Sequence, residues 1–242
     1  MLLRSLLVLL FALGAATTAA GEEYRLLNVD GRPVKWGAPA LGAGAVVTYA
    51  FVSETTQFED ARNCRTMQPL DAVADSTGVA RATVEDQAVA ALALWQEAAD
   101  ITFERSDDPA AADILIGVDH ATGRSAHADV LPSEDGGDVG VIRRGLVCLS
   151  SAQRWKIGFG EDSGAQDLRR TFAHEIGHAL GLDHPGPHGA VMAFNYDEDS
   201  AGLQEGDVAG ATALYGPVKA AGSPAIAALE APHSGAASQG FH

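Results

Sequence analysis

Residues 171–196 read Thr-Phe-Ala-His-Glu-Ile-Gly-His-Ala-Leu-Gly-Leu-Asp-His-Pro-Gly-Pro-His-Gly-Ala-Val-Met-Ala-Phe-Asn-Tyr. His174 and His178 are four apart, so a helix stacks them on one face, where two imidazoles can grip one metal ion. Glu175 follows the first of them and points into a neighbouring sector, within reach of a metal-bound water. Gly181 can adopt positive φ without a Cβ clash, which lets the helix stop and the chain turn back. That return supplies His184 as a third nitrogen. Three neutral imidazoles leave the fourth tetrahedral position of Zn²⁺ open for water, the mark of a catalytic rather than a closed structural site. The full His-Glu-x-x-His-x-x-Gly-x-x-His spacing is far more specific than His-Glu-x-x-His alone. The bland alternative is a surface helix that happens to carry histidines. Met192 is read as apolar packing beneath the imidazoles, not as a ligand.

The rest of the chain sets bounds. Its 242 residues, 47% of them hydrophobic, allow one domain with a sizeable core, or two small ones. Residues 1–20 have the layout of a secretory signal: Arg4, a short apolar run from Leu6 to Leu13, then small residues from Ala15 to Ala20. The run is too short for a comfortable membrane span. The formal net charge is −16 and becomes one unit more negative when Arg4 leaves with the signal. Such a surface argues against nucleic acid and anionic membranes as partners. It suits solubility, and its carboxylates suit Ca²⁺. Two cysteines in an exported chain point to one disulfide, Cys64–Cys148; one thiolate blocking the zinc is the alternative. A secreted or periplasmic monomer is expected.

In chain order, residues 21–44 read as an extended lead-in anchored by Trp36. Ala45–Val52 is a buried strand, and 54–82 a polar, irregular excursion held by the disulfide. Thr83 opens a helix with Asp86 in a capping box, and Ala88, Leu92, Trp95 and Ala99 form its inward stripe. Short strands follow at Ile101–Glu104 and Ala112–Val118, a loop-rich stretch at 119–138, and a strand at Val139–Leu149. Ser163 and Gln166 cap a metal-bearing helix over 165–180. Pro185 and Pro187 forbid its continuation. Asp207–Tyr215 is a last helix with Val208, Ala211 and Leu214 inward, and 218–242 an Ala/Gly/Ser-rich disordered tail. This order gives an α+β class, a twisted, mostly parallel sheet against two helices plus a C-terminal helix, with the catalytic domain at 45–217.

With those residues in view, the chain resembles the matrixins, the matrix-metalloprotease branch of the metzincins, in a bacterial-type form. The likeness covers roughly residues 45–216. It rests on His174–His184, on Leu203–Gly216 with its closing Leu-Tyr-Gly, on Ala112–Ile116 and on the Trp95 helix. Met192 falls where metzincins carry the methionine of their Met-turn. The resemblance implies a metzincin fold, a zinc endopeptidase activity and Tyr196 as the wall of the S1′ pocket. Departures are equally specific. No Pro-Arg-Cys-Gly-like latency segment precedes residue 45, so the expectation is control by another route. Ser125-Ala-His127-Ala is similar to one ligand strand of the family's structural zinc, with His120 nearby, yet Gly137–Gly140 lacks the next histidine, which reads as a degraded site. Phe194 stands where some metzincins carry a switchable Tyr ligand.

The implied chemistry is amide hydrolysis with Glu175 as general base. Substrate would pair as an extended strand along an edge near Ser125–Val130, and the pocket near Val191–Tyr196 would take an apolar side chain. Asp183 is either a hydrogen-bonding neighbour of the metal site or a solvated carboxylate, and His188 a loop residue. Two other readings compete: a non-catalytic exported zinc-binding module, and a narrow processing protease of one partner.

Overall fold

In a computed structural model the chain is described over residues 24–120, 123–134, 137–160, 164–186, 188–197 and 202–219. The signal at 1–20 and the tail beyond Lys219 lie outside these residues. In chain order the strands are β1 (Arg25–Leu26), β2 (Asn28–Val29), β3 (Arg32–Lys35), β4 (Ala45–Phe51), β5 (Thr56–Gln57) and β6 (Thr66–Met67). Helices α1 (Asp71–Thr77) and α2 (Arg81–Ala98) come next. They are followed by β7 (Ile101–Arg105), β8 (Ile114–Asp119), β9 (Ala126–Pro132), β10 (Gly140–Ser150), β11 (Arg154–Lys156) and β12 (Ala165–Asp167). Helix α3 (Leu168–Leu180), β13 (Leu182–Asp183) and α4 (Glu205–Tyr215) complete the order.

The main sheet runs β2-β3-β10-β8-β4-β7, with β9 added to β10. β4 pairs in parallel with β7 and β8, and β10 in parallel with β8 and β3, whereas β9 is antiparallel. Every residue of β8 is buried, as expected of a strand covered on both faces, and this is why its sequence is nearly all apolar. Helices cover one face around Trp95, Phe172 and Ile176. The other face carries a second cluster of Ala50, Val52, Met67, Leu115 and Leu146 together with the Cys64–Cys148 disulfide.

That second cluster corrects the reading of 54–82. The excursion is not irregular. β5 and β6 form a hairpin, and α1 buries Val73 and Ala74. Each unit is too short to show a period, and only tertiary burial makes it regular. Helix α2 starts two residues before Thr83, at Arg81, with no side-chain cap on its N-cap Ala80. Arg81 instead bridges Asp71 and Glu85, at 3.2 and 2.9 Å. The inward stripe is as expected, with Ala88, Leu92, Trp95 and Ala99 all buried. The 119–138 stretch is less loop-rich than expected, because β9 lies within it. The lead-in is extended but not separate, since β3 joins the sheet and Trp36 is buried. In α4, Ala211 and Leu214 are buried, but Val208 is 37% exposed. The helix begins at Glu205 with a capping box of Gln204 and Asp207, which turns residue 208 outward. Among the described residues no helix is long and apolar enough to cross a membrane.

Helix α3 sits at the centre of this packing. Trp95 Nε1 donates to Ala173 O at 2.9 Å and fixes α2 against it. One turn on, a Cβ on Gly177 would collide with Met192 Sδ and come within 2.8 Å of Trp95 Cζ2. Gly177 therefore sets how closely α3 approaches both neighbours. In an exposed helix Gly→Ala stabilises by about 1 kcal/mol. Here Gly177→Ala should destabilise by about 1–3 kcal/mol through overpacking. Chemical denaturation measures it, and a stabilised variant would disprove the close approach.

Candidate metal centre and active-site cleft

Asp167, not Ser163 or Gln166, caps α3: its side chain accepts from Arg170 N at 2.8 Å. Gln166 belongs to β12, and Ser163 lies outside the described residues. The helix ends at Leu180, where Gly181 takes φ 103° and donates to Gly177 O and His178 O. A Cβ at Gly181 would strike Val34 O, so both the positive φ and the close approach require glycine.

The turn brings the three histidines together. His174 Nε2 lies 3.1 Å from His184 Nε2, and His178 Nε2 lies 3.2 Å from each of the other two. On the two helical histidines Nδ1 faces outward: His174 Nδ1 is 2.7 Å from Val191 O and His178 Nδ1 is 2.8 Å from Leu182 O. A carbonyl only accepts, so Nδ1 carries the hydrogen and Nε2 presents its lone pair inward. With the lone pairs of His174 and His178 turned inward and His184 Nε2 beside them, the three nitrogens form a ready seat for a cation. Tetrahedral zinc with bonds of 2.0–2.1 Å needs nitrogens about 3.3 Å apart, so the triangle fits. Burial pushes His174 down to about 3 and His178 to about 4, and it lowers His184 as well. All three are therefore neutral at pH 7, as ligands must be.

The surroundings hold this triangle. Met192 is buried against Gly177, and its N–H donates to Asp207 Oδ1 at 3.0 Å. Asp207 also accepts from Val191 N and Gln204 N, both at 2.8 Å. Asp183 accepts from His184 N at 2.8 Å and pairs with Arg25 at 3.1 Å, so it is neither a ligand nor merely solvated. Phe194 stacks on His184, with ring centres 4.0 Å apart, and is otherwise exposed. His188 lies 3.3 Å from Asn195, away from the triangle, and His120 lies 2.7 Å from Ser151.

A cleft of about 1290 Å³ opens over the triangle. Glu175 lines it, only 6% exposed, and its Oε2 has no hydrogen-bond partner. Burial raises its carboxyl to about 8, against a smaller opposing pull from Arg124. β9 forms one wall; its only pairing is with β10, which leaves its other edge free among the described residues. Tyr196 lines the opposite side and accepts from Asp167 N at 2.7 Å. The sequence reading missed Arg170, whose guanidinium is buried 4.7 Å from the centre of the Tyr196 ring. Its helical offset of four from His174 puts it on the metal face, a signal present in the sequence. Asp207 was also missed as the anchor of the Met192 turn.

These titrations have opposite signs in metal-free protein. The histidines ionise near 6.5 in the unfolded chain but resist protonation when folded, so stability falls as pH drops from about 6.5 through 4. Glu175 keeps its proton to about 8 when folded but loses it near 4.5 when unfolded, so stability falls as pH rises between those values. In chelator, Glu175→Gln should flatten the alkaline limb of a denaturation-versus-pH curve and leave the acidic limb in place. An unchanged alkaline limb would count against a buried, unpartnered carboxyl.

Comparison with known proteins agrees with this geometry. The family model described as Matrixin (Peptidase_M10) matches residues 70–216. The chain is 33% identical over 138 residues to Metalloendoproteinase 1-MMP of Arabidopsis thaliana, covering 52% of this chain and 36% of that protein. It is 31% identical over 151 residues to interstitial collagenase of Oryctolagus cuniculus, covering 57% and 30%. Against stromelysin-1 of Rattus norvegicus it is 30% identical over 148 residues, covering 57% and 29%. The match thus spans about a third of the length of these relatives. With the α+β architecture, the His174–His184 spacing and the buried Met192 turn all in place, the chain belongs to the matrixin family.

Proposed function

We propose that this chain is an exported zinc-dependent endopeptidase. The observation that carries the reading is the inward-facing Nε2 triangle beside the buried Glu175, at the base of a cleft walled by a free strand edge. His174, His178 and His184 would hold the zinc. The ion, when bound, supplies Lewis acidity towards the attacking water and the scissile carbonyl.

The chain's own groups do the rest. Glu175 takes the proton from the water and passes it to the leaving amine. The free edge of β9 pairs with an extended peptide and sets its direction. Phe194 has no hydroxyl to offer, so backbone N–H groups are the chain's donors to a developing oxyanion. Tyr196 forms the wall of the pocket for the residue after the scissile bond. Arg170 sits behind that ring with Asp167, Asp197 and Asp207 around it to balance its charge. An apolar side chain against the aromatic face therefore remains the expected choice. The buried disulfide is consistent with export through an oxidising compartment.

The test is cleavage of a quenched mixture of unstructured peptides. Activity should vanish with a zinc chelator and return with zinc. Glu175→Gln should keep the metal and lose roughly 10²–10⁴-fold in turnover. Turnover retained in that variant would remove Glu175 from its role. Zinc binding without any cleavage would leave a non-catalytic module.

A further inference from the structure

Away from the catalytic triangle, a second set of metal-ligating side chains converges. Cys64, His127 and Cys148 each place one donor atom within 4.8 Å of the others, and all three are buried. His127 and Cys148 face each other across the β9–β10 ladder. His127 is 6% exposed, and its Nδ1 has no hydrogen-bond partner. Its Nε2 lies 2.6 Å from Asp119 Oδ2 in an ion-pair contact, which leaves Nδ1 with nothing. An imidazole nitrogen buried without a partner is costly. Beside two sulfurs, the group that would satisfy it is a cation.

We propose that Cys64, Cys148 and His127 form a redox-gated zinc site, closed while the disulfide stands and opened by a thiol reductant. Two molecules of reductant RSH and the Cys64–Cys148 disulfide give two cysteine thiols and RSSR. Zn²⁺ then displaces two protons from sulfur and takes two thiolates and His127 Nδ1. Asp119 on Nε2 orients the ring and raises its basicity, the arrangement common behind metal-bound histidine. Tetrahedral zinc needs its two sulfurs about 3.8 Å apart, a separation that side-chain rotation provides from Cα atoms 6.0 Å apart.

The donors do not depend on the disulfide for their places. Cys148 lies inside the central strand β10, paired on both sides. Cys64 is held by Asp129, whose Oδ2 accepts from Cys64 N at 2.8 Å and Asn63 N at 2.7 Å. Metal and disulfide are thus alternative cross-links between the same two segments, 84 residues apart.

The test uses the full chain and Co²⁺ as probe. The catalytic triangle holds no sulfur, so thiolate-to-cobalt charge-transfer absorption reports the second site alone. Oxidised protein should bind one equivalent without that absorption. Protein reduced anaerobically with a phosphine should stay folded, by near-ultraviolet circular dichroism, and bind two equivalents with it. Cys148→Ser should abolish the absorption and keep one equivalent. Asp119→Asn should weaken the second site by about 10–100-fold and leave the first unchanged. A reduced, folded chain with one equivalent would overturn the proposal. So would an absorption that persists in His127→Ala, or a chain that unfolds on reduction.

Discussion

The structure depends on how α3 ends. A helix leaves its last four carbonyls without intrahelical partners, and burying them unpaired is costly. Here each has a donor. Gly177 O and His178 O accept from Gly181 N. Ala179 O accepts from Trp36 Nε1 at 2.8 Å and Leu180 O from the Tyr215 hydroxyl at 2.6 Å. Gly181 O, one residue on, accepts from Leu27 N at 2.8 Å. The lead-in, the last helix and the Gly181 turn therefore meet at one place. The third histidine is placed by that junction, because Leu182 O, immediately after it, orients His178, and the chain then returns to His184.

The junction explains why residues far from the cleft are buried aromatics with polar tips. Trp36 and Tyr215 each bring a large apolar body and one donor to a helix end that water cannot reach. Tyr215 also accepts from Trp36 N at 3.2 Å, so the two tie together. Lys35, buried beside them, donates to Trp36 O and Ala38 O and lies over the Tyr215 ring. Burial lowers it to about 8. The cost of burying a cation and two polar rings is accepted where it fixes the direction of the chain into the candidate metal site.

Most of the candidate site was legible because its residues are local in sequence. His174, Glu175, His178, Gly181 and His184 lie within eleven residues on one helix and its turn, and helix geometry alone puts them in register. Tyr196 and Met192 entered as candidates through resemblance, not through periodicity. What was not legible depends on long-range partners. Asp207 reads as a helix-start residue, and nothing in its neighbourhood says that its second oxygen holds the Met192 turn. The hairpin at 56–67 and helix α1 are too short to show a pattern: the hairpin is ordered by the far sheet face it covers, and α1 by burying Val73 and Ala74 in the main core. Thr83 and Ser163 look like caps by composition, yet Ala80 and Asp167 hold those positions. The decisive factor was where the preceding strand or loop delivers the chain, which local propensity does not encode.

The covering of that far face connects back to the cleft. A strand edge recruits an extended peptide only if it does not bend towards it, and among the described residues β9 has a sheet neighbour on one side alone. Its stiffness must come from its side chains. Asp129, on β9, takes three N–H groups from residues 63 and 64, two on the backbone and one from the Asn63 amide at 2.9 Å. Residue 64 is in turn bonded to Cys148 on β10. The excursion is therefore a brace: it crosses the back of the sheet and grips β9 through Asp129 and β10 through sulfur. His127, between them, faces the same cross-link. The edge that would meet a substrate is held from behind by the segment whose sequence looked least structured.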